Sequence, residues 1–318
     1  MTPQETKQRL LDAARDEPFG PNAGPGLYLD VPEEKYHAHH AISRSILAEA
    51  ARKSPLHAVH SLQSTEEESS DAMDLGTAVH ARVLEPDIFG SRYDVAPDQC
   101  EATKADGDQC SYSPSYRYGG GWYCGTHAPD EEPDDIEVLK SKHYHAAEGM
   151  AQALQADQDT STLLYELPGL EEVTVLFGDP KTGLQLRARL DRVACLPDGR
   201  VAIVDLKTTR SAHPQDFRHK IARNGYWLQP AFYGSAVRSL DLGLEVADFV
   251  FAVVESSAPY AVQGYRPSDN DRRGAERRMG SLVNEMADAL DNGSPGYREG
   301  VTSLEMKRYE KDRLQISA

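Results

Sequence analysis

The chain has 318 residues, 39% apolar and 27% charged, and 34 Lys plus Arg against 51 Asp plus Glu give a formal net charge of −17. That length holds one large domain or two small ones, and the apolar share with 15 tyrosines excludes a disordered chain. No stretch approaches the ~20 apolar residues of a membrane span, the first residues lack a signal-peptide core, and −17 taken whole argues against a phosphate-rich partner.

Residues 1–26 read as a polar arm ending in Pro21, Gly24, Pro25 and Gly26. Ile42–Leu62 carries a helical stripe (Ile46, Leu47, Ala50, Ala51) with Ser43 as its N-cap, and Pro55 breaks it in two. Gln63–Ser70 reads as an acidic loop. Met73–Leu84 repeats Leu75, Val79 and Val83 at helical spacing, and Pro86 stops it. Residues 98–135 look like an insertion that ends in an acidic linker, and Ile136–Gln155 reads as a helix. Val173–Phe177, Leu184–Ala194 and Val201–Leu206 are strand signals separated by turns at Asp179–Gly183 and Pro197–Gly199. Phe217–Leu240 reads as a helix, Asp248–Glu255 as a strand and Ser268–Leu290 as an amphipathic helix. The expected fold is mixed α/β, a central mixed sheet flanked by helices. Its divisions are an arm at 1–26, a main domain over 27–97 and 136–300, an inserted module at 98–135 and a tail at 301–318.

The charge is uneven. Residues 187–238 hold 10 basic and 4 acidic side chains inside an acidic whole. The chemistry is densest there. Asp191 lies near the end of one strand, and Asp205-Leu-Lys207 ends the next. Positions 205 and 207 share a face because strand side chains alternate. Two carboxylates and an ammonium thus converge at one sheet end. Hard oxygen ligands of this kind suit Mg²⁺ or Mn²⁺. A surface ion pair is the plain alternative for an isolated Asp-x-Lys.

This order of elements resembles the PD-(D/E)XK nuclease superfamily, which has a restriction-endonuclease-like core. Within it the chain is similar to the RecB-like branch and to the exonuclease VIII (RecE-type) nuclease domains common in phages. The phrases that carry the likeness are Ala41-Ile-Ser-Arg-Ser45, Lys53-Ser-Pro-Leu-His57, Leu75-Gly-Thr-Ala-Val-His80, Val83-Leu-Glu-Pro-Asp87, Arg189-Leu-Asp-Arg192 and Val204-Asp-Leu-Lys-Thr-Thr209, then Gly225-Tyr226 through Gln229 and Tyr233. The likeness spans roughly residues 27–300 outside the insertion. It implies that His80, Asp191, Asp205 and the Leu206 carbonyl hold Mg²⁺ or Mn²⁺, with Gly76 allowing close helix approach. Lys207 helps to activate water, and Glu172 (Glu171 as a fallback) assists. Gln229 and Tyr233, one helical turn apart, position the strand. Arg187, Arg189, Arg192 and Arg210 are the expected phosphate contacts. The implied activity is a metal-dependent exonuclease digesting linear double-stranded DNA 5′→3′. It would work in phage-type recombination or repair with a single-strand annealing protein, as a homo-oligomeric ring in the cytoplasm of a bacterial host and away from any membrane. A non-catalytic DNA- or protein-binding recombination module and an endonuclease of the same superfamily are the alternatives.

The insertion holds Cys100, Cys110, Cys124 and His127. Thiolates with an imidazole suit a tetrahedral Zn²⁺ site; free thiols and a disulfide, which a cytosolic setting disfavours, are the alternatives. The segment resembles small zinc modules. Iron–sulfur exonucleases place cluster cysteines near the C-terminus, but no Cys follows Cys195. Tyr112, Tyr116, Tyr118, Trp122 and Tyr123 are expected to pack as a small core, with a stacking surface for bases as the alternative. Whether the module grips DNA, a partner or a neighbouring subunit stays open. His37, His39 and His40 read as a flexible loop, and Cys195 reads as an apolar strand residue.

Overall fold

Three of these strand signals are neighbours in one sheet. The structure is a computed structural model that describes residues 1–63, 71–134, 136–294, 296–297, 301 and 303, with Asp71 described by its backbone alone. The expected acidic loop beyond Gln63 and nearly all of the expected tail lie outside the described residues. In chain order the elements begin with α1 (Pro3–Asp12), β1 (Gly26–Tyr28), α2 (Glu33–Ala38), β2 (Ile42–Ser43), α3 (Arg44–Arg52), α4 (Pro55–Gln63), α5 (Asp71–Leu84) and α6 (Pro86–Arg92). Next come β3 (Tyr93–Ala96), β4 (Tyr116–Tyr118), β5 (Gly121–Tyr123), β6 (Glu137–Lys140), α7 (Ser141–Ala156) and α8 (Gln158–Ser161). The remainder is β7 (Gly169–Gly178), β8 (Gln185–Cys195), β9 (Val201–Thr209), α9 (Pro214–Asn224), α10 (Gln229–Ser239), β10 (Val246–Glu255), β11 (Val262–Tyr265) and α11 (Asp269–Asn292).

The main sheet runs β1-β7-β8-β9-β10-β11, with β2 added beside β8. It is mixed: β9 and β10 pair parallel, as do β2 and β8, and the other pairs are antiparallel. Helical layers cover both faces. Ile203, Phe249 and Phe251 pack with Leu47 of α3, Phe232 of α10 and Met286 of α11. Val204, Leu206 and Ala252 pack with Val79 of α5 and Met150 of α7. Ile203 and Val204 enter opposite cores, so β9 reads as a continuous apolar run.

The sheet forks at β8. This strand pairs β9 only through Arg192–Cys195, whereas its earlier part pairs β2 at Leu186 and Arg187. Alternation breaks just at the fork. Leu170 and Val173 both enter the larger core, as do Leu190 and Val193, with two residues between each pair where alternation requires one. Glu172 makes the switch at φ 46°. Flanking pairs Glu171–Arg192 and Val173–Leu190 keep their register, so Glu172 faces Asp191 across the ladder.

Several expectations change. The arm is folded in part: Thr2 and Glu5 form a capping box on α1, and Leu10 and Thr6 are buried. Pro86 stops α5 but also starts α6 as its first residue. Residues 137–140 form a strand, since Glu137–Lys140 finds β3 as a parallel partner. The expected helix over 217–240 is broken by Gly225 at φ 68° and a 3₁₀ turn at Tyr226–Leu228. The histidine cluster is anchored: Arg187 donates to the carbonyls of Tyr36, His37 and His39, and His39 is buried.

Candidate active site

A cleft of about 820 Å³ opens at the fork, lined by residues of α2, α3, α5, α6 and the strand ends. α5 lies against the sheet through Val79 and Val83, which turns His80 toward the fork. Its Nδ1 is 3.8 Å from Glu172 Oε1 and 3.8 Å from Asp191 Oδ2. Its Nε2 is 3.2 Å from the Leu206 carbonyl, which also accepts from Lys207 Nζ at 3.3 Å. One ligand atom each from His80, Glu172 and Asp191 falls within 4.8 Å of the others. Burial alone would lower the His80 pKa, but the carboxylates of Asp191 and Glu172 outweigh it and push it up to about 9. The field that holds this proton is the field a divalent cation would meet. Two carboxylates facing across a ladder are unfavourable without a cation between them. The donor set of imidazole, carboxylates and a carbonyl fits Mg²⁺ or Mn²⁺.

Asp205 lines the same cleft, and its carboxylate is engaged by neighbouring side chains. It is fully buried, its Oδ1 accepts from Gln229 Nε2 at 2.6 Å, and its Oδ2 pairs with Lys207. Burial pushes its carboxyl up to about 6, with Lys207 opposing the rise and Asp191 adding to it. Gln229 is itself buried, and its Nε2 also lies 3.3 Å from the Tyr233 hydroxyl. Gln229 thus bears on Asp205 directly, and Tyr233 bears on it through Gln229. Asp191 Oδ2 accepts from the Leu206 N–H at 2.7 Å, tying the two strand ends at the fork. Gly76 is not required for close approach, because a Cβ there would meet Thr208 Oγ1 at an ordinary 3.7 Å.

Two of the four expected phosphate contacts are corrected. Arg187 is buried on the carbonyls at the end of α2, its guanidinium 4.8 Å from the Tyr36 ring. Arg192 is buried too, bonded to the Leu163 and Leu167 carbonyls and paired with Glu171. Glu171, the fallback, lines the cleft with one carboxylate oxygen paired to Arg192. A buried cation must satisfy its donors, and these find backbone oxygens. Arg189 lines the cleft, donates to the Val31 carbonyl and stands 3.7 Å from Glu172. Arg210 is exposed at the end of β9. The sequence reading passed over Arg44, which lines the cleft from the first turn of α3, and Tyr36, packed between Arg187 and Arg189.

The insertion leaves from β3 and returns at β6. There Cys100, Cys110 and Cys124 are buried together and unbridged. Cys110 Sγ and Cys124 Sγ are 3.9 Å apart, and His127 Nδ1 lies 3.4 Å from Cys124 Sγ and 3.7 Å from Cys100 Sγ. With Zn–S of about 2.3 Å and Zn–N of about 2.05 Å, a tetrahedron has S···S edges of about 3.8 Å and S···N edges of about 3.5 Å. The donor set fits zinc. The aromatic residues do not all form a core: Tyr123 packs on the cluster, but Tyr112 and Tyr116 are 66% and 42% exposed.

A forked mixed sheet carrying Asp, Asp-x-Lys and a helical His in one cleft is the arrangement of a PD-(D/E)XK nuclease domain. The family model described as "PDDEXK-like domain of unknown function (DUF3799)" matches residues 43–301, and the chain belongs to that family. Among solved structures, a Eubacterium rectale protein provisionally assigned as an exonuclease is similar over 90% of this chain and 98% of its own, at 17% identity and a TM-score of 0.53. That likeness concerns the fold. A structure named SSO0001 aligns over 45% of this chain and 63% of its own, at 17% identity and a TM-score of 0.28. No curated protein matches the sequence. No helix among the described residues is long and apolar enough to cross a membrane.

Proposed function

We propose that the protein is a metal-dependent deoxyribonuclease that digests linear duplex DNA from its ends. The observation that carries this is the meeting of His80, Glu172 and Asp191 beside the Asp205–Lys207 pair in one cleft. His80, Glu172 and Asp191, with the Leu206 carbonyl, would hold Mg²⁺ or Mn²⁺, and Asp205 completes the acidic wall. A divalent ion there supplies Lewis acidity at a phosphoryl oxygen and lowers the pKa of a bound water. Lys207 brings an ammonium to where negative charge develops on the phosphate. Gln229 and Tyr233 hold the Asp205 carboxylate in place. Arg189 and Arg44 would meet phosphate from the cleft wall, where Arg92 is paired with Glu137. The resemblance to RecE-type nucleases supports 5′→3′ polarity, a ring assembly and a single-strand annealing partner in recombination. Zn²⁺ is assigned to the Cys₃His cluster as a structural ion of the module at 98–135.

The test is digestion of 5′- and 3′-labelled linear duplex and of closed circles with Mg²⁺. Wild type is compared with Asp205→Ala and Lys207→Ala. Release of 5′ label from linear DNA, lost in both variants, is the expected result. Cutting of closed circles favours an endonuclease. A folded, metal-loaded protein that cleaves nothing favours the binding module.

A further inference from the structure

Lys207 and Arg44 approach the cleft from different elements, yet both rest on one ring. Lys207 Nζ stands 5.0 Å from the centroid of Tyr226, and the Arg44 guanidinium carbon stands 5.7 Å from it. Tyr226 is not part of the cleft lining. It is partly buried behind the two cations, packed on the larger core. Its placement is built in. Gly225 reverses the chain at φ 68°, and a Cβ there would fall 2.6 Å from Ala48 Cβ, so α9 must end and Tyr226 must turn under α3. Asn224 Nδ2 donates to the Tyr226 hydroxyl at 3.1 Å, which fixes the ring. Arg44 has little else to hold it. Its Nε is buried without a partner, and its Nη1 reaches only the Asn224 carbonyl at 3.4 Å.

A π face differs from a carboxylate as a support for a cation. It attracts the charge and consumes no directed N–H donor. Lys207 already pairs with Asp205 and donates to the Leu206 carbonyl at 3.3 Å, so a support that takes no N–H leaves its third donor for a substrate oxygen. We propose that Tyr226 is a positioning residue that holds Lys207 and Arg44 toward the cleft through its ring face. The inference rests on the nuclease reading, and it adds a residue outside the cleft that sets the rate.

The experiment uses the full chain with three substitutions, Tyr226→Phe, Tyr226→Leu and Lys207→Arg. The Lys207 ε-methylene protons, identified by their loss in Lys207→Arg, are expected upfield of the other lysines from the ring current. That shift persists in Tyr226→Phe and vanishes in Tyr226→Leu. On linear duplex, Tyr226→Leu is expected to lose about tenfold in kcat with KM within about twofold, while Tyr226→Phe stays within about threefold of wild type. Thermal midpoints of the variants show that the loss is not unfolding. No upfield shift in wild type overturns the proposal, as does a Tyr226→Leu enzyme with the wild-type kcat. Equal losses in Phe and Leu would assign the effect to the hydroxyl and overturn it too. A wild type that cleaves no DNA while the shift is present overturns the nuclease reading and the rate-setting role with it, and that outcome is visible before any variant is compared.

Discussion

Glu172 occupies a left-handed conformation at φ 46°, which a side chain other than Gly, Asn or Asp seldom adopts. It does so across from Asp191, where like charges repel. The strain and the repulsion are both placed around His80. Because its folded pKa is about 9 and its ordinary value is 6.5, His80 binds its proton more tightly in the folded state. A raised pKa stabilises the fold fully below pH 6.5, and that contribution is lost as pH rises through about 9. The side chain is 31% exposed, so solvent screening reduces the contribution to about 1–2 kcal/mol. In buffer free of divalent ions, urea unfolding of wild type and His80→Gln should therefore differ most near pH 6 and converge above pH 9. A difference that does not change with pH would show that the Asp191 and Glu172 contacts are not what His80 contributes. Strand alternation made Asp205 and Lys207 legible as a same-face pair near Asp191, whereas His80 was singled out only by the resemblance to the nuclease superfamily. Arg187 and Arg192 were misread for a physical reason. Their partners are backbone carbonyls of Tyr36, His39, Leu163 and Leu167, and a carbonyl leaves no mark in a sequence.

At the scale of elements, what was legible is what local chemistry decides. Ser43 caps α3 by accepting from the Ile46 N–H, and Ser268 caps α11 in the same way from Asp271. Elements that depend on a distant partner were missed. β6 is a strand because β3 lies beside it, and β11 because β10 does. α1 reads as a polar arm until Leu10 is seen buried in the main core. The insertion shows the same division of labour, since its small core of Cys100, Cys110 and Cys124 is separate from both sheet cores. Arg117 fastens it to the domain by pairing with Asp94 of β3. Metal binding should therefore supply folding energy to the insertion and little to the sheet. Thiol counting checks this. The zinc-loaded native protein should expose no reactive cysteine, and chelation should release one zinc per chain and expose three thiols. Cys195 is fully buried in the larger core, with its thiol pushed up to about 11, so it should react only in denaturant. Far-ultraviolet dichroism should change little on chelation. Four thiols reacting together, or a collapse of the whole spectrum, would show that the insertion and the sheet melt as one unit.

For the whole molecule the question is how a chain of net charge −17 meets a polyanion. The basic stretch at 187–238 answered this in sequence terms, with 10 cations against 4 anions. The fold withdraws part of that answer, since Arg187 and Arg192 are enclosed, Arg200 pairs with Asp198, and Lys220 is bonded to the Thr208 carbonyl. The insertion does not compensate in charge: residues 98–135 hold 9 acidic and 2 basic side chains. Of the cations that line the cleft, Arg187 is enclosed on carbonyls and Arg92 is paired with Glu137, which leaves chiefly Arg44, Arg189 and Lys207. Each phosphate neutralised contributes about −0.9 to the slope of log affinity against log salt on duplex DNA. About three to four such contacts predict a slope of roughly −3, shallow for a DNA-binding protein. Fluorescence anisotropy of a labelled duplex end across a salt series, in Mg²⁺-free buffer to prevent cleavage, gives the slope directly. Arg44→Ala should then reduce it by about one, whereas Arg192→Lys should leave it unchanged because that side chain never reaches solvent. A slope near −10 would mean that an extended basic surface, and not this cleft, supplies the affinity. A slope of roughly −3 would fit a strand held at the fork, where His80, Glu172 and Asp191 converge.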